Sequence, residues 1–374
     1  MKTLPQLFKV SLLITSLALA ACSSSSRPKI AEVSLPQVLQ DVQVGWTAQV
    51  GAINFPMMIA AQADTVALAN AQGTVTVLSA SSGKVLSRLE LKEPLSAGVG
   101  SDGKQVAVVT QNGELVAALD GKEQWRVALN AGSFTPPLVA GGRIFVLTAD
   151  RSVVAFDGQT GKKLWAQQRP GDPLVLKNPG VLMAFKNTLL VGLSGRLVGL
   201  NPDNGLIRWE TAIASPRGTN DVERLVDLVG PADRVGDVVC VRAFQSQVGC
   251  VDAQRGQVVW SRASVGERGI DGNEKLLVAP LTNGVIQVWN RSNGERVWDT
   301  ERLKYHPLGT PLVTPRGILI SDNGGWLYLL SLADGALLNR IKLSGDELAA
   351  PPIQAGSTYV VVTRQGTVTG LQIP

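Results

Sequence analysis

The chain of 374 residues has little of what most catalytic and nucleic-acid-binding sites require. It contains one histidine and three cysteines, no two of them adjacent, which excludes metal centres built from several His and Cys ligands. Only 17% of the residues are charged, the net charge is +5, and no basic cluster occurs, which argues against nucleic acid as a partner. The function therefore has to be inferred from the repeats and the architecture of the chain.

The few motifs that resemble catalytic ones have ordinary explanations. His306 has no metal-ligand spacing around it and is expected to be structural or solvated. Residues 98–103 fit a dinucleotide-binding pattern of glycines, but the apolar run at 105–109 predicts a strand where that motif needs a helix. Residues 192–195 lack the spacing of a nucleophile elbow. We predict no enzymatic activity, no metal site and no cofactor.

What the chain does have is a phrase that recurs about every 40 residues, with clear copies at 151–165, 195–209 and 284–298. Each copy is an apolar strand, usually led by Gly, followed by a turn of Asp, Asn, Ser and Gly, a second Gly, and finally Trp. The last position of the phrase is occupied by Trp46, Leu86, Trp125, Trp165, Trp209, Trp260, Trp298 and Leu338, in steps of 40, 39, 40, 44, 51, 38 and 40.

Two further strand-length runs precede each copy, so every unit has four strands, and eight units predict an all-β, eight-bladed β-propeller over residues 42–374. The last unit lacks its fourth strand, and an orphan strand at 44–50 carries a Trp of the missing type. We expect this N-terminal strand to complete the last antiparallel blade, leaving no long open edge. The repeat tryptophans are expected to pack between blades; Trp289 is expected in the core, and Trp326 fits either environment.

The first 40 residues predict export and anchoring. Residues 1–21 have two lysines before a short apolar run, as in a secretory signal peptide, and small residues precede Cys22 as in a bacterial lipobox. This resemblance implies cleavage before Cys22, its acylation and, with Ser23 in place of Asp, anchoring on the periplasmic face of the outer membrane. The Ser-rich stretch at 22–41 predicts a flexible tether between the lipid and the propeller.

Two cysteines remain in the mature chain, on the second and third strands of one blade. A two-residue turn between these strands would place Cys240 and Cys250 on opposite faces, whereas a three-residue turn would let them face each other. The periplasm is oxidising, so both a disulfide and a pair of free, structural thiols are open at this point.

The phrase resembles the repeats of pyrroloquinoline quinone (PQQ) dehydrogenases, which are also eight-bladed but carry adjacent cysteines and a calcium site. Together with the lipobox, the tether, the short blades and closure by the N-terminal strand, the chain resembles the BamB family of lipoproteins. That resemblance implies a non-enzymatic subunit of the β-barrel assembly machinery, docked on a periplasmic POTRA domain of BamA. The alternatives are a small PQQ-dependent oxidoreductase and an envelope scaffold for another partner, such as a nascent outer-membrane protein.

Two of the repeat intervals are long, and both excess segments connect the fourth strand of one blade to the first strand of the next. They span 167–179 and 214–234, and we expect them to lie side by side on one face, as a binding surface or as covers over blade ends. The apolar spacing within 220–229, with Asn220 as a cap, predicts one or two helical turns. Arg224 in this stretch is a candidate partner contact.

The resemblance to the BamB family implies roles for four more residues in these segments. The matching loops of that family carry a Leu-x-Leu-Arg stretch and an Asp-x-Asp stretch that bind BamA. Leu174 and Leu176 match the two leucines, and Lys177 replaces the arginine, whose two-pronged hydrogen bonding lysine does not reproduce. Asp227 matches the first acid, whereas Val229 stands in place of the second.

Overall fold

A computed structural model describes residues 29–34, 37–169, 174–216, 219–220, 224–344 and 347–374. These residues form 32 β-strands in eight four-stranded antiparallel sheets, which confirms the predicted eight-bladed β-propeller. No helix occurs in the described ranges, so none of them contains a helix that could cross a membrane. Residues 1–28, including the predicted signal peptide and Cys22, lie outside the described residues.

The first half of the ring contains the N-terminal strand and blades 1 to 4. The N-terminal strand is β1 (Gln43–Gln49), blade 1 is β2 (Ala60–Gln62), β3 (Thr65–Ala69), β4 (Thr74–Ser79) and β5 (Val85–Glu90), and blade 2 is β6 (Gly100–Ser101), β7 (Gln105–Val109), β8 (Glu114–Leu119) and β9 (Lys122–Ala128). Blade 3 is β10 (Leu138–Ala140), β11 (Arg143–Leu147), β12 (Ser152–Asp157) and β13 (Lys163–Gln168), and blade 4 is β14 (Leu182–Phe185), β15 (Thr188–Leu193), β16 (Arg196–Leu200) and β17 (Ile207–Ala212).

The second half of the ring repeats this plan. Blade 5 is β18 (Leu228–Val235), β19 (Val238–Ala243), β20 (Gln247–Asp252) and β21 (Gln257–Ala263), and blade 6 is β22 (Asp271–Gly272), β23 (Leu276–Pro280), β24 (Ile286–Asn290) and β25 (Arg296–Thr300). Blade 7 is β26 (Leu312–Thr314), β27 (Gly317–Ser321), β28 (Trp326–Leu330) and β29 (Leu337–Lys342), and blade 8 is β30 (Ile353–Ala355), β31 (Thr358–Val362) and β32 (Thr367–Gln372).

The ring is closed by its N-terminal strand. β1 pairs antiparallel with β32, with Gln43 opposite Gln372 and Gln49 opposite Thr367, and so supplies the fourth strand of blade 8. This confirms the predicted closure. Since strands alternate in direction, the connections from fourth to first strands and the turns between second and third strands share one face of the propeller, here called the connection face.

The two signature residues of the phrase meet between blades. In blade 3, the side chain of Asp157 accepts the backbone N–H groups of Gln159 and Thr160, which bends the chain so that Gly161 adopts a φ of 71°. A Cβ on Gly161 would lie 2.7 Å from the ring of Trp125 in blade 2. Only glycine therefore allows the tryptophan of one blade to lie against the turn of the next.

The same contact recurs around the ring, and the packing role predicted for the repeat tryptophans is what the structure shows. It joins Trp46 with Gly83, Trp165 with Gly205, Trp209 with Gly256, Trp260 with Gly294, and Trp298 with Gly335. Five of the six indoles also donate a hydrogen bond to a carbonyl of the neighbouring blade, such as Trp46 to Ala80 at 2.8 Å. Trp289 is buried in the core, as predicted, and Trp326 is half-buried.

The structure differs from the predicted tether of residues 22–41. Residues 31–34 and 37–41, here called the strap, lie on blade 7 and are held by backbone hydrogen bonds at both ends. The Ala31 amide donates to the Lys304 carbonyl at 3.0 Å, and the Leu39 amide donates to the Leu338 carbonyl at 2.9 Å. The composition of this stretch did not predict these contacts, because most of them are made by backbone atoms, which are the same in every residue.

Cys240 and Cys250 are joined by a disulfide within blade 5. Ala243 pairs with Gln247, so the turn contains the three residues 244–246, and Cys240 lies directly opposite Cys250. This is the three-residue alternative left open by the sequence. It needs a left-handed residue, and Gln245 has a φ of 46°.

Replacing both cysteines with alanine should lower the free energy of unfolding by about 2 to 4 kcal/mol, because the bond restricts the unfolded chain. Denaturant unfolding followed by tryptophan fluorescence would measure this. Wild-type protein folded in the presence of reductant should match the double variant, whereas the double variant should be insensitive to reductant. Equal stability of oxidised wild type and variant would contradict a structural role for the bond.

Candidate functional site

The two long connections lie side by side on the connection face, as predicted. An isolated β-bridge pairs Gly180 of the connection between blades 3 and 4 with Val229 of blade 5. The Leu176 amide donates to Oδ2 of Asp227 at 3.2 Å. The two connections therefore form one surface, reached from blades 3, 4 and 5.

A buried arginine links the two connections. Arg151 lies in the turn between the second and third strands of blade 3 and is 7% exposed. One of its terminal nitrogens donates to Oδ1 of Asp227 at 2.9 Å, and the other donates to the Leu174 carbonyl at 2.9 Å. With the bond from the Leu176 amide to Asp227, these three contacts form what we call the Arg151 brace. An ion pair in which both side chains are largely buried fixes geometry better than a surface pair.

Sequence reasoning did not identify Arg151, although a signal was present. It occupies the leading position of the phrase, where six other units have glycine in a left-handed conformation: Gly73, Gly113, Gly195, Gly284, Gly325 and Gly366. Arg151 adopts the same conformation, with a φ of 63°, which is unfavourable for a residue with a Cβ. A strained arginine in place of glycine indicates that its guanidinium makes a specific contact that offsets the strain.

The structure separates the predicted contact residues into two groups. Leu174 is exposed at 38%, and Lys177 and Arg224 are also exposed, so these three can face a partner. Leu176 is half-buried with Val175 in a small cavity. The side chain of Asp227 is 16% exposed and its carboxylate is engaged by Arg151 and by the Leu176 amide, so it braces the surface from within.

The predicted helical turns at 220–229 are wrong for most of the stretch. The Arg224 amide donates to the Asn220 carbonyl at 3.1 Å, and residues 221–223 lie outside the described residues. Beyond Arg224 the chain is extended, and β18 begins at Leu228. The connection is thus shorter than expected, since Val229 is a strand residue that bridges to Gly180. Tertiary pairing with a neighbouring blade overrides the local helical pattern.

A cavity of about 240 Å³ opens on the same face near the propeller axis. Its lining mixes apolar side chains such as Phe55, Met57 and Leu348 with an ion-pair cluster. Glu347 accepts a hydrogen bond from Nε of Arg364 at 3.0 Å and lies 3.6 Å from Arg268. One carboxylate faces two guanidinium groups in this cluster, and Glu267 and Asp322 also line the cavity, so both signs of charge occur there.

Deeper along the axis lie two buried acids. Asp233 pairs with Arg291, and burial raises the pKa of Asp233. Burial also raises the pKa of Asp271 to about 7, and the negative charge of Asp233 adds to the increase. The Asp271 carboxylate accepts the Val313 amide at 2.5 Å, which ties the first strands of blades 6 and 7 together. Both acids are accounted for by links between strands.

The axial residues do not fit a quinone and calcium site of the dehydrogenase kind. The chain has no adjacent cysteines. In the ranges that the structure describes, no group of three or more His, Cys, Asp or Glu side chains converges as metal ligands. The buried Asp233 is matched by Arg291, which leaves it without the net negative charge that attracts calcium.

Comparison with known proteins identifies relatives over nearly the whole chain. A family model described as outer membrane protein assembly factor BamB matches residues 71–300. The outer membrane protein assembly factor BamB of Burkholderia pseudomallei is 34% identical over 362 residues, 95% of each chain. The protein of the same name from Bordetella pertussis is 30% identical, over 94% of this chain and 93% of the relative.

Solved structures show the same fold. The crystal structure of BamB from Moraxella catarrhalis superimposes with a TM-score of 0.81 at 21% identity, covering 89% of this chain and all of that one. Quinohemoprotein alcohol dehydrogenase from Comamonas testosteroni gives a TM-score of 0.68 at 13% identity, covering 90% of this chain and 77% of the enzyme. At these identities both likenesses concern the propeller alone.

Proposed function

Because this chain belongs to the BamB family of outer membrane protein assembly factors, we propose that it is a non-enzymatic subunit of the β-barrel assembly machinery. In this role it docks on a periplasmic POTRA domain of BamA and aids the folding and insertion of outer-membrane β-barrel proteins. Cys22 carries the lipid that anchors it to the periplasmic face of the outer membrane. The relatives are named as assembly factors, which supports a scaffold and not an oxidoreductase.

The observation that carries the docking proposal is the surface held by the Arg151 brace. It presents an exposed leucine, Leu174, together with two exposed cations, Lys177 and Arg224, on a rigid blade framework. An apolar anchor beside charged side chains is the usual composition of a compact protein interface. The partner surface that fits it is an apolar groove with an acidic rim.

Asp227 takes a different role in this proposal from the one implied by the family resemblance. Its carboxylate is bonded to Arg151 and to the Leu176 amide, so it shapes the surface and contributes little charge to a partner. Charge complementarity with BamA then rests on the exposed Lys177.

Leu174→Asp should reduce the amount of BamA that copurifies with the protein at least about tenfold, because it places a charge in an apolar contact. Leu206→Asp is the matched control, since Leu206 is 64% exposed in a turn on the opposite face of blade 4. Both variants should keep the wild-type melting temperature, as both leucines are exposed. Normal copurification of Leu174→Asp would remove this surface from the proposal.

The identity of the partner is tested separately. A photo-crosslinking amino acid at position 174 in cell envelopes should trap BamA, and the same group at position 206 should not. Capture of a nascent outer-membrane protein or another envelope protein at position 174, without BamA, would favour the scaffold alternative.

A further inference from the structure

The strap begins at the connection face and indicates a second function for this face. Its first residue lies against the connection between blades 6 and 7, where the Ala31 amide bonds to the Lys304 carbonyl. It then runs along the outer strand of blade 7: Arg340 donates to the Val33 carbonyl at 2.8 Å, and Nδ2 of the buried Asn339 side chain donates to the Gln40 carbonyl at 2.8 Å. The strap thus descends from the connection face and turns back as β1 in blade 8.

The only histidine of the chain fastens the upper end of the strap. Nε2 of His306 lies 3.0 Å from the Ala31 carbonyl, and Nδ1 lies 3.1 Å from Oδ2 of Asp322. Oδ2 also accepts the Tyr328 hydroxyl at 2.8 Å, and Oδ1 accepts the backbone amides of Gly324 and Trp326. Asp322 is therefore a fully engaged acceptor that requires a donor at Nδ1.

The hydrogen-bond partners of His306 determine which protonation form of its ring fits the site. Both ring nitrogens face acceptor oxygens, so the doubly protonated imidazolium donates to both. In the neutral form the nitrogen without a proton faces an oxygen lone pair. The other charged or titratable groups nearby are Tyr328 beneath the ring, the Lys304–Glu301 pair and Arg340.

We propose that the strap fixes the exit of the lipid anchor at the corner between blades 6 and 7, so that this corner faces the phospholipid headgroups. Nine peptide steps separate Cys22 from Ala31, which limits the span to roughly 30 Å. The corner exposes Arg302 and Tyr305 beside Lys304, which is bonded to Glu301. A tyrosine with basic neighbours suits a headgroup region.

This proposal rests on the lipidation of Cys22 contained in the proposed function, but not on binding to BamA. It places Ala31, where the tether meets the propeller, and the surface held by the Arg151 brace on the same face, over different blades. The membrane would then lie beside blades 6 and 7, while blades 3 to 5 stay open to a protein partner.

The membrane contact is tested with the full lipidated protein in phosphatidylethanolamine and phosphatidylglycerol vesicles that contain a headgroup-linked quencher. A fluorophore on Arg302→Cys should be quenched at least about twofold more than one on Asn112→Cys. Asn112 is exposed in a turn on the same face of blade 2, on the opposite side of the ring. Equal quenching, or failure of the protein to join the vesicles, would overturn the membrane contact. No BamA is present, so this outcome is independent of docking.

The strap itself is tested by hydrogen exchange of the same lipidated protein. The amides of Ala31 and Leu39 should be protected in the wild type, and His306→Ala should lower the protection of Ala31 roughly fivefold, because it removes the side chain that lies 3.0 Å from the Ala31 carbonyl. The same variant should leave Leu39 protected, because the Leu39 amide bonds to the Leu338 carbonyl at the other end of the strap. Unprotected Ala31 and Leu39 amides in the wild type would show that the strap is not docked, and wild-type protection of Ala31 in His306→Ala would exclude His306 as the residue that fastens it.

Discussion

Replacing Arg151 with glycine should weaken binding to BamA by roughly tenfold or more while the propeller stays folded. The variant removes the hydrogen bonds that the guanidinium donates to Asp227 and to the Leu174 carbonyl. Loss of one partner of a buried ion pair typically costs about 3 to 5 kcal/mol, but glycine also relieves the left-handed conformation, so the net loss of stability should be about 2 to 3 kcal/mol. Affinity for purified POTRA domains and thermal melts measure the two effects separately.

Two further variants show whether the geometry of the brace matters. Arg151→Lys keeps the charge but cannot reach both acceptors as the planar guanidinium does, so it should resemble the glycine variant in binding. Arg143→Ala breaks an exposed ion pair with Asp203 on the opposite face and should change neither binding nor stability by more than about 0.5 kcal/mol. Wild-type affinity of both Arg151 variants would mean that the partner does not contact the surface that Arg151 holds in place.

Replacing Trp46 with alanine should lower the free energy of unfolding by about 3 to 5 kcal/mol. The indole lies against Gly83 and Gly370 and donates to the Ala80 carbonyl, so it joins blade 8 to blade 1 across the point where the ring closes. Its strand, β1, is bound to the sheet along one edge only, through β32. Denaturant unfolding gives the free energy, and hydrogen exchange shows which strand opens.

Trp298→Ala is the matched control for this result. Trp298 makes the same contact with the next blade, through Gly335 and the Leu332 carbonyl, but its strand lies inside the continuous chain. Both variants should be destabilised, yet only Trp46→Ala should expose the amides of β1 to exchange well before global unfolding. Protection of β1 that matches the wild type in Trp46→Ala would show that closure depends on the strand hydrogen bonds alone.

Much of the fold could be read from spacing because each phrase encodes its own local structure. Asp157 and Gly161 specify a turn through bonds made within a few residues, and this turn sets the strands on either side. Because such units follow one another at a regular spacing, a ring is the arrangement in which the faces of every blade are buried against neighbouring blades. The missing fourth strand and Trp46 indicated how the ring closes.

The contacts of the candidate surface were less accessible to sequence reasoning. The lengths of the intervals located the two connections, and the resemblance to the BamB family marked Leu174. The task of Asp227 could not be inferred, because its partner Arg151 is 76 residues away in the chain and belongs to another blade. The helical pattern after Asn220 was misleading for the same reason, since the bridge between Gly180 and Val229 draws the chain into a strand.

The sequence by itself determined the number of blades and the way the ring closes, because these depend on local turns and on a period that repeats along the chain. Only the tertiary structure decided the rest: the three-residue turn that brings Cys240 to Cys250, the docking of the strap at His306, and the division of the contact residues into exposed and bracing ones. Each of these depends on residues that are distant in sequence or on backbone groups that every residue shares, so composition and spacing carry no record of them.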